Sequence, residues 1–340
     1  MKLKKLILCC FFLNLGFLAF ASGQKDASTQ IISENLKFEF YKQSGSFCLY
    51  RRSELGKENW IPLYDNRALA STNSYSLLID DKIYPIKKQI GKEIIVESTE
   101  NVIRASFPIS KDLSVSQRFY FSSEKYETSG KVLCIETSFE NTSGAAVNVA
   151  LKALFDTSLG EKQRVPLYTE NQSILRETHI DVNATNAKYL ASANSIAACL
   201  FFLRLEKQTL PSEIFIANWD YLQSRRWVPN SVEGRSFSTK YYNNDSAVLF
   251  FWPAQRLNLN EKYTVTNCIG YYDYLKRDMP EAVVETHLQT LSEKERKSYD
   301  DILLLLKKID DVKNHPENYS DEEIKALSDQ VDSAMLKIQE

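Results

Sequence analysis

Between residues 35 and 271 the chain alternates apolar and polar positions again and again. Leu36, Phe38 and Phe40 share one face of an extended segment. Leu113, Val115, Phe119 and Phe121 fall on the same period of two, as do Leu133, Ile135, Thr137 and Phe139. Val147, Val149, Leu151, Ala153 and Phe155 make the longest clean run, and Tyr263, Val265, Asn267 and Ile269 close the series. This period places alternate side chains on opposite faces of a half-buried strand. The segment Ser246–Trp252 is continuously apolar after its serine, as a strand buried on both faces would be.

Turn signals separate these runs: Gln43-Ser44-Gly45, Asp80-Asp81, Ser129-Gly130, Asn141–Gly144, Glu233-Gly234 and Tyr242–Asp245. The pattern predicts about a dozen strands, one every 8–15 residues or so, with no strong helix between them. Strands in that order form an antiparallel sandwich, not βαβ units. So many strands in one open sheet would over-twist, so two large packed sheets are expected over residues 35–275. Residues 182–195 are small and polar and read as a loop.

The period changes near the C-terminus. Gly270 is the last glycine, and Pro280 suits the first turn of a helix. Ser292 and Glu295 have the spacing of a capping box, followed by Tyr299, Ile302, Leu306 and Ile309 at helical spacing. His315-Pro316 breaks the pattern. Ser320 and Glu323 form a second box, followed by Ile324, Leu327, Val331, Met335 and Ile338. Residues 280–340 are therefore expected to be a helical hairpin. Its apolar stripes need cover from the sandwich, from each other or from another protein. Leu306, Ile309, Leu327 and Val331 are the candidate partner-binding residues.

The first residues have a third character. Lys2, Lys4 and Lys5 precede an apolar stretch from Leu6 to Phe20, and Ala19-Phe20-Ala21 fits a signal-peptidase site. Residues 1–21 read as a cleaved signal peptide and 22–34 as a polar linker. The stretch is shorter than the ~20 apolar residues of a membrane span. Cys9 and Cys10 lie too close to Met1 to be lipidated. A soluble periplasmic protein without a transmembrane span is expected.

Charge and cysteine content narrow the function classes. A formal net charge of −2 provides no basic field for nucleic acid. Cys48, Cys134, Cys199 and Cys268 would remain after cleavage, none at metal-ligand spacing, which excludes a zinc site built from close cysteine pairs. Each lies in an apolar run and reads as a buried thiol. An oxidising compartment also permits one or two disulfides, and three connectivities stay open. No metal or other cofactor is implied.

Histidine occurs at His179, His287 and His315 alone, so a histidine base in the body has one candidate, His179. Nucleophile-elbow, phosphate-loop, dinucleotide, EF-hand and zincin motifs are absent. The densest polar signals sit at strand ends: Asp156–Glu161, Asn218–Tyr221 with Arg225, Arg226, Trp227 and Arg235 beyond, and Asn243–Asp245. Asp156, Glu161, Trp219, Asp220, Arg225, Arg226, Trp227 and Asp245 are the candidate ligand-binding residues. Carboxylates beside tryptophan platforms can hold a sugar, and paired carboxylates can do acid/base work at ~5–9.5 Å. The competing reading is structural: such residues also cap turns, pair with one another and fill sandwich ends.

The segments Asp156–Glu161, Asn218–Asp220 and Asn244–Val248 resemble those of exported β-sandwich proteins of spirochaetes. The many-stranded body is similar to the galactose-mutarotase-like supersandwich. That family catalyses with histidines and a glutamate, and a single histidine in this body speaks against epimerisation while leaving sugar binding open. Two functions remain. One is a non-enzymatic protein making contacts in the cell envelope, as an accessory of a larger envelope or flagellar assembly. The other is a carbohydrate-binding or carbohydrate-processing protein whose partner is a glycan.

Overall fold

A computed structural model describes residues 28–52, 59–64, 72–122, 131–163, 165–194, 196–223, 226–240, 244–273, 293–315, 318–320, 322–327, 329–330 and 333. The body is mainly β. Its six-stranded sheet has the order β14 (Thr178–Asp181), β17 (Glu213–Asn218), β18 (Ser246–Leu257), β11 (Val147–Thr157), β5 (Ser74–Ile79) and β6 (Lys82–Pro85). The nine-stranded sheet runs β13 (Ser173–Ile174), β12 (Leu167–Tyr168), β15 (Tyr189–Ala193), β16 (Ala197–Phe202), β19 (Lys262–Asp273), β10 (Leu133–Asn141), β9 (Leu113–Phe121), β8 (Val102–Phe107) and β7 (Ile95–Ser98). A four-stranded sheet of β1 (Ser28–Ser33), β2 (Leu36–Tyr41), β3 (Ser46–Arg52) and β4 (Trp60–Pro62) joins these two large sheets. Neighbouring strands are antiparallel throughout.

The core lies where the sheets face each other. Val149, Leu151, Ala153 and Phe155 of β11 point inward with Phe250 and Trp252 of β18, and meet Phe119, Ile135, Phe139 and Phe201 of the nine-stranded sheet. Phe38, Phe40 and Phe47 bring the small sheet into the same core, with Phe38 stacked on Phe119 at 4.7 Å between centroids. Each ring removed from water stabilises the fold by roughly 1.5–3 kcal/mol. The stretch Ser246–Trp252 is buried on both faces, as its unbroken apolar pattern predicts. Beyond it the pairing of β11 with β18 shifts by one residue around Pro253, which lacks a ladder donor and sits at the bulge.

Two local expectations are corrected. Residues 28–33, assigned to a linker, form β1, because Ile31 opposes Phe38 and is buried. Residues 189–193, assigned to a loop, form β15, flanked by β12 and β16. Their small side chains suit a crowded interior position.

Most of the described tail is helical. Helix α2 (Glu293–Asn314) lies on the outer face of the nine-stranded sheet. Tyr299 and Ile302 are buried there in one cluster with Val132, Cys134, Leu200, Cys268 and Tyr272. Residues 322–327, 329, 330 and 333 are also helical. The second capping box forms: the Ser320 amide donates to the Glu323 carboxylate at 2.8 Å, and the Glu323 amide donates to Ser320 Oγ at 3.3 Å. Ile309 and Leu327 are half-buried, while Ile324 is exposed. The side chains of Leu306 and Val331, the Ser292 box and residues 1–27 lie outside what is described. Among the described residues, no helix is long and apolar enough to cross a membrane.

Candidate functional site

Three strand ends meet at one end of the six-stranded sheet. β18 lies between β11 and β17, and both neighbours run opposite to it, so their C-terminal ends flank its start. Thr157 and Asn218 both oppose Ser246, and Asp156 opposes Ala247. Three polar segments far apart in sequence therefore converge. Thr157 Oγ1 stands 2.7 Å from the Ser246 carbonyl and ties two of the ends together.

The turn after β11 then folds back. Gly160 is required there, because an added Cβ would stand 1.8 Å from the Pro166 carbonyl oxygen. Its amide donates to Ser192 Oγ at 3.0 Å. This turn places Glu161 so that its Oε1 accepts from the Ser246 amide at 3.3 Å. Asn244 holds the other side, with φ 56° in the left-handed region that asparagine tolerates. Its Nδ2 donates to the Glu161 carbonyl at 2.7 Å.

Carboxylate oxygens of Asp156, Glu161 and Asp245 thus lie within 4.8 Å of one another, with Asp156 buried and the other two half-buried. Three carboxylates this close repel unless a proton or a cation intervenes. Oxygen sets of this kind suit a hard cation such as Ca2+ or Mg2+. The sequence implies no metal ligand; the fold makes three of its ligand candidates a potential donor set.

Beside this cluster an open trough of about 970 Å3 runs over the outer face of the six-stranded sheet. Outward residues Ser74 and Ser76 of β5 and Lys152 and Leu154 of β11 line it, with Lys87 and Lys88 from the loop after β6. Short helix α1 (Trp219–Leu222) forms one wall, capped by Asn218, whose Oδ1 accepts the Asp220 amide at 3.0 Å. Trp219 is fixed by its Nε1–H donating to the Thr72 carbonyl at 3.1 Å. Asn73 joins trough and cluster, since it lines the trough while its Oδ1 accepts the Asp156 amide at 2.8 Å.

Lys152 is 7% exposed, an unusual position for a charge. Its Nζ donates to the carbonyls of Arg226 and Trp227 at 2.8 and 3.3 Å and lies 5.2 Å from the Trp227 ring centroid. Burial pushes its pKa down to about 8. Among the described residues no carboxylate forms an ion pair with it. Residues 226–240 are secured by Glu177, whose side chain is wholly buried and accepts from Arg235 Nε at 2.7 Å and Nη2 at 2.8 Å. The Val232 amide also donates to Glu177 at 2.9 Å.

Of the sequence candidates, Asp156, Glu161 and Asp245 come together, and Trp219 stands on the trough wall. Asp220 is exposed on α1 and accepts from Gln223 at 3.0 Å. Trp227 packs edge-on against Phe251 at 5.6 Å, and the Arg226 side chain is exposed. Arg225 lies outside the described residues. His179 is exposed on β14, stacked on Phe215 at 4.3 Å and 2.9 Å from Glu213. The sequence candidates omit Lys152, Asn73 and Glu177. Lys152 had a signal: it is the one charge inside the run Val147–Phe155.

No model of a protein family matches the sequence, and no curated protein matches it. Solved structures match over most of the chain at low identity. A putative aldose 1-epimerase from Escherichia coli K12 is 11% identical with TM-score 0.44, covering 73% of this chain and 99% of its own. A galactose mutarotase-like protein from Lactobacillus casei ATCC 334 is 10% identical with TM-score 0.37, covering 72% and 100%. A putative kojibiose phosphorylase from the human microbiome is 8% identical with TM-score 0.34, covering 77% of this chain and 32% of its own.

Proposed function

We propose that the protein binds a carbohydrate in the trough over the six-stranded sheet. The observation that carries this is the composition of the trough: a fixed indole, Trp219, lines it together with Ser74, Ser76 and Asn73. A sugar offers an apolar C–H face and a rim of hydroxyls. An indole suits the first, and hydroxyl and amide side chains suit the second. Lys87, Lys88 and Lys152 line the trough, and none of the described residues lining it is a carboxylate, which favours saccharides bearing a carboxylate, sulfate or phosphate.

Binding is favoured over glycoside cleavage. The three clustered carboxylates, whose nearest oxygens lie within 4.8 Å of one another, are not among the described residues that line the trough. One oxygen of Glu161 is also taken by the Ser246 amide. A role through the helical stripe is less supported, since the body itself covers Tyr299 and Ile302.

The test is an oligosaccharide array with acidic and neutral members, read with and without CaCl2. Acidic saccharides are expected to bind, and Trp219→Ala to lose about tenfold or more in affinity, about 1.4 kcal/mol. No binding under either condition, or unchanged binding by Trp219→Ala, overturns the proposal.

A further inference from the structure

We propose that Cys134 and Cys268 are a redox couple that closes to a cross-strand disulfide beneath helix α2. They are direct partners on the neighbouring antiparallel strands β10 and β19, and their Sγ atoms stand 3.0 Å apart. Directly opposed residues hold their Cβ atoms ~4.5–5.5 Å apart, near the ~3.5–4.5 Å of a disulfide. A small closing movement suffices, and the strands keep their register.

The other two cysteines are placed differently. Cys48 and Cys199 belong to the main core, and burial pushes the Cys199 thiol far up. Cys48 opposes Glu39, and Cys199 opposes Ser192 and Tyr271. Of the three connectivities open to the sequence, the fold therefore selects the one containing Cys134–Cys268, with Cys48 and Cys199 buried in the main core.

The oxidant is an external disulfide such as oxidised glutathione. One cysteine thiolate attacks a sulfur of that disulfide and expels a thiolate. The second cysteine attacks the resulting mixed disulfide, forms the Sγ–Sγ bond and expels the second thiolate. Two electrons pass to the external disulfide, and the two cysteine protons end on the two released thiols. Cys134 and Cys268 are 3% and 2% exposed, within the cluster that Tyr299 and Ile302 complete. Exchange therefore requires α2 to lift, which couples the redox state to docking of the helix. The bond joins residues 134 apart in sequence and so encloses β11, β17 and β18, which frame the proposed ligand site.

The test uses the full chain, incubated with oxidised glutathione or with dithiothreitol, alkylated in guanidinium, digested and analysed by mass spectrometry. The oxidised sample is expected to yield the Cys134 and Cys268 peptides linked, with Cys48 and Cys199 alkylated. Its thermal midpoint should exceed that of the reduced sample by about 5 °C. Cys134→Ala and Cys268→Ala should each abolish the linked peptide and the shift, and Tyr299→Ala should oxidise several-fold faster. Four alkylated cysteines after oxidation, or a linkage of Cys134 or Cys268 to Cys48 or Cys199, overturns the couple. An unchanged oxidation rate in Tyr299→Ala overturns the gating by α2.

Discussion

The outer faces of the two large sheets are finished in opposite ways. The nine-stranded sheet presents Cys134, Leu200, Cys268 and Tyr272 outward, and helix α2 covers them with Tyr299 and Ile302. The six-stranded sheet presents Ser74, Ser76 and Lys152 outward beside Leu154, and among the described residues that face is covered in part by α1 and residues 226–240. An apolar outer face must be sealed by the chain itself, because exposed apolar surface is costly. A mixed face can stay open, and it is the open one that lies beside the Asp156, Glu161 and Asp245 carboxylates. The same sandwich thus seals one side, and the proposed ligand site lies on the other.

The largest expected effect is on the partial cover of the open face. Glu177→Ala leaves Arg235 without its carboxylate and should cost about 3–5 kcal/mol in urea denaturation. A loss below about 1 kcal/mol would mean that residues 226–240 are not anchored there.

The sealed face is next. Ile302→Ala should cost about 2–5 kcal/mol by the same measurement while leaving saccharide affinity unchanged. If stability holds and binding falls, the roles of the two faces are reversed.

Smaller effects are expected at Lys152. Lys152→Met removes a buried charge without an ion-pair partner and should raise stability by about 1 kcal/mol. It should also lower affinity for acidic saccharides more than for neutral ones. A uniform loss for both would show that Lys152 shapes the trough and does not select charge.

The same group also carries a pH dependence. Lys152 has its pKa lowered from 10.5 to about 8, so between those values the unfolded chain holds more of this proton than the folded one. Stability from this group therefore rises with pH across that window and is level below about 8. Thermal midpoints of wild type and Lys152→Met from pH 7 to 10.5 check it: the gap between them should narrow as pH rises.

The strands were legible where side-chain size contrast is large. β11 and β18 read directly from Val147–Phe155 and Ser246–Trp252. β15 did not, because Ala191, Ser192 and Ala193 differ too little in size and polarity to mark a period. The helical stripe was legible, and docking through Tyr299 and Ile302 uses its first two positions. Asp156, Glu161 and Asp245 were each visible as polar strand ends. Their meeting was not, because it depends on β18 lying between β11 and β17, a non-local pairing. Glu177 and Arg235 are 58 residues apart with no local pattern linking them.

Hydroxyl-radical footprinting, with and without the saccharide that binds best on the array, tests the contrast between the two faces most directly. Protection is expected at Trp219 and the Pro85–Gln89 segment, with the exposed Leu304 of helix α2 unchanged. Protection confined to helix α2, or none at Trp219, would contradict it.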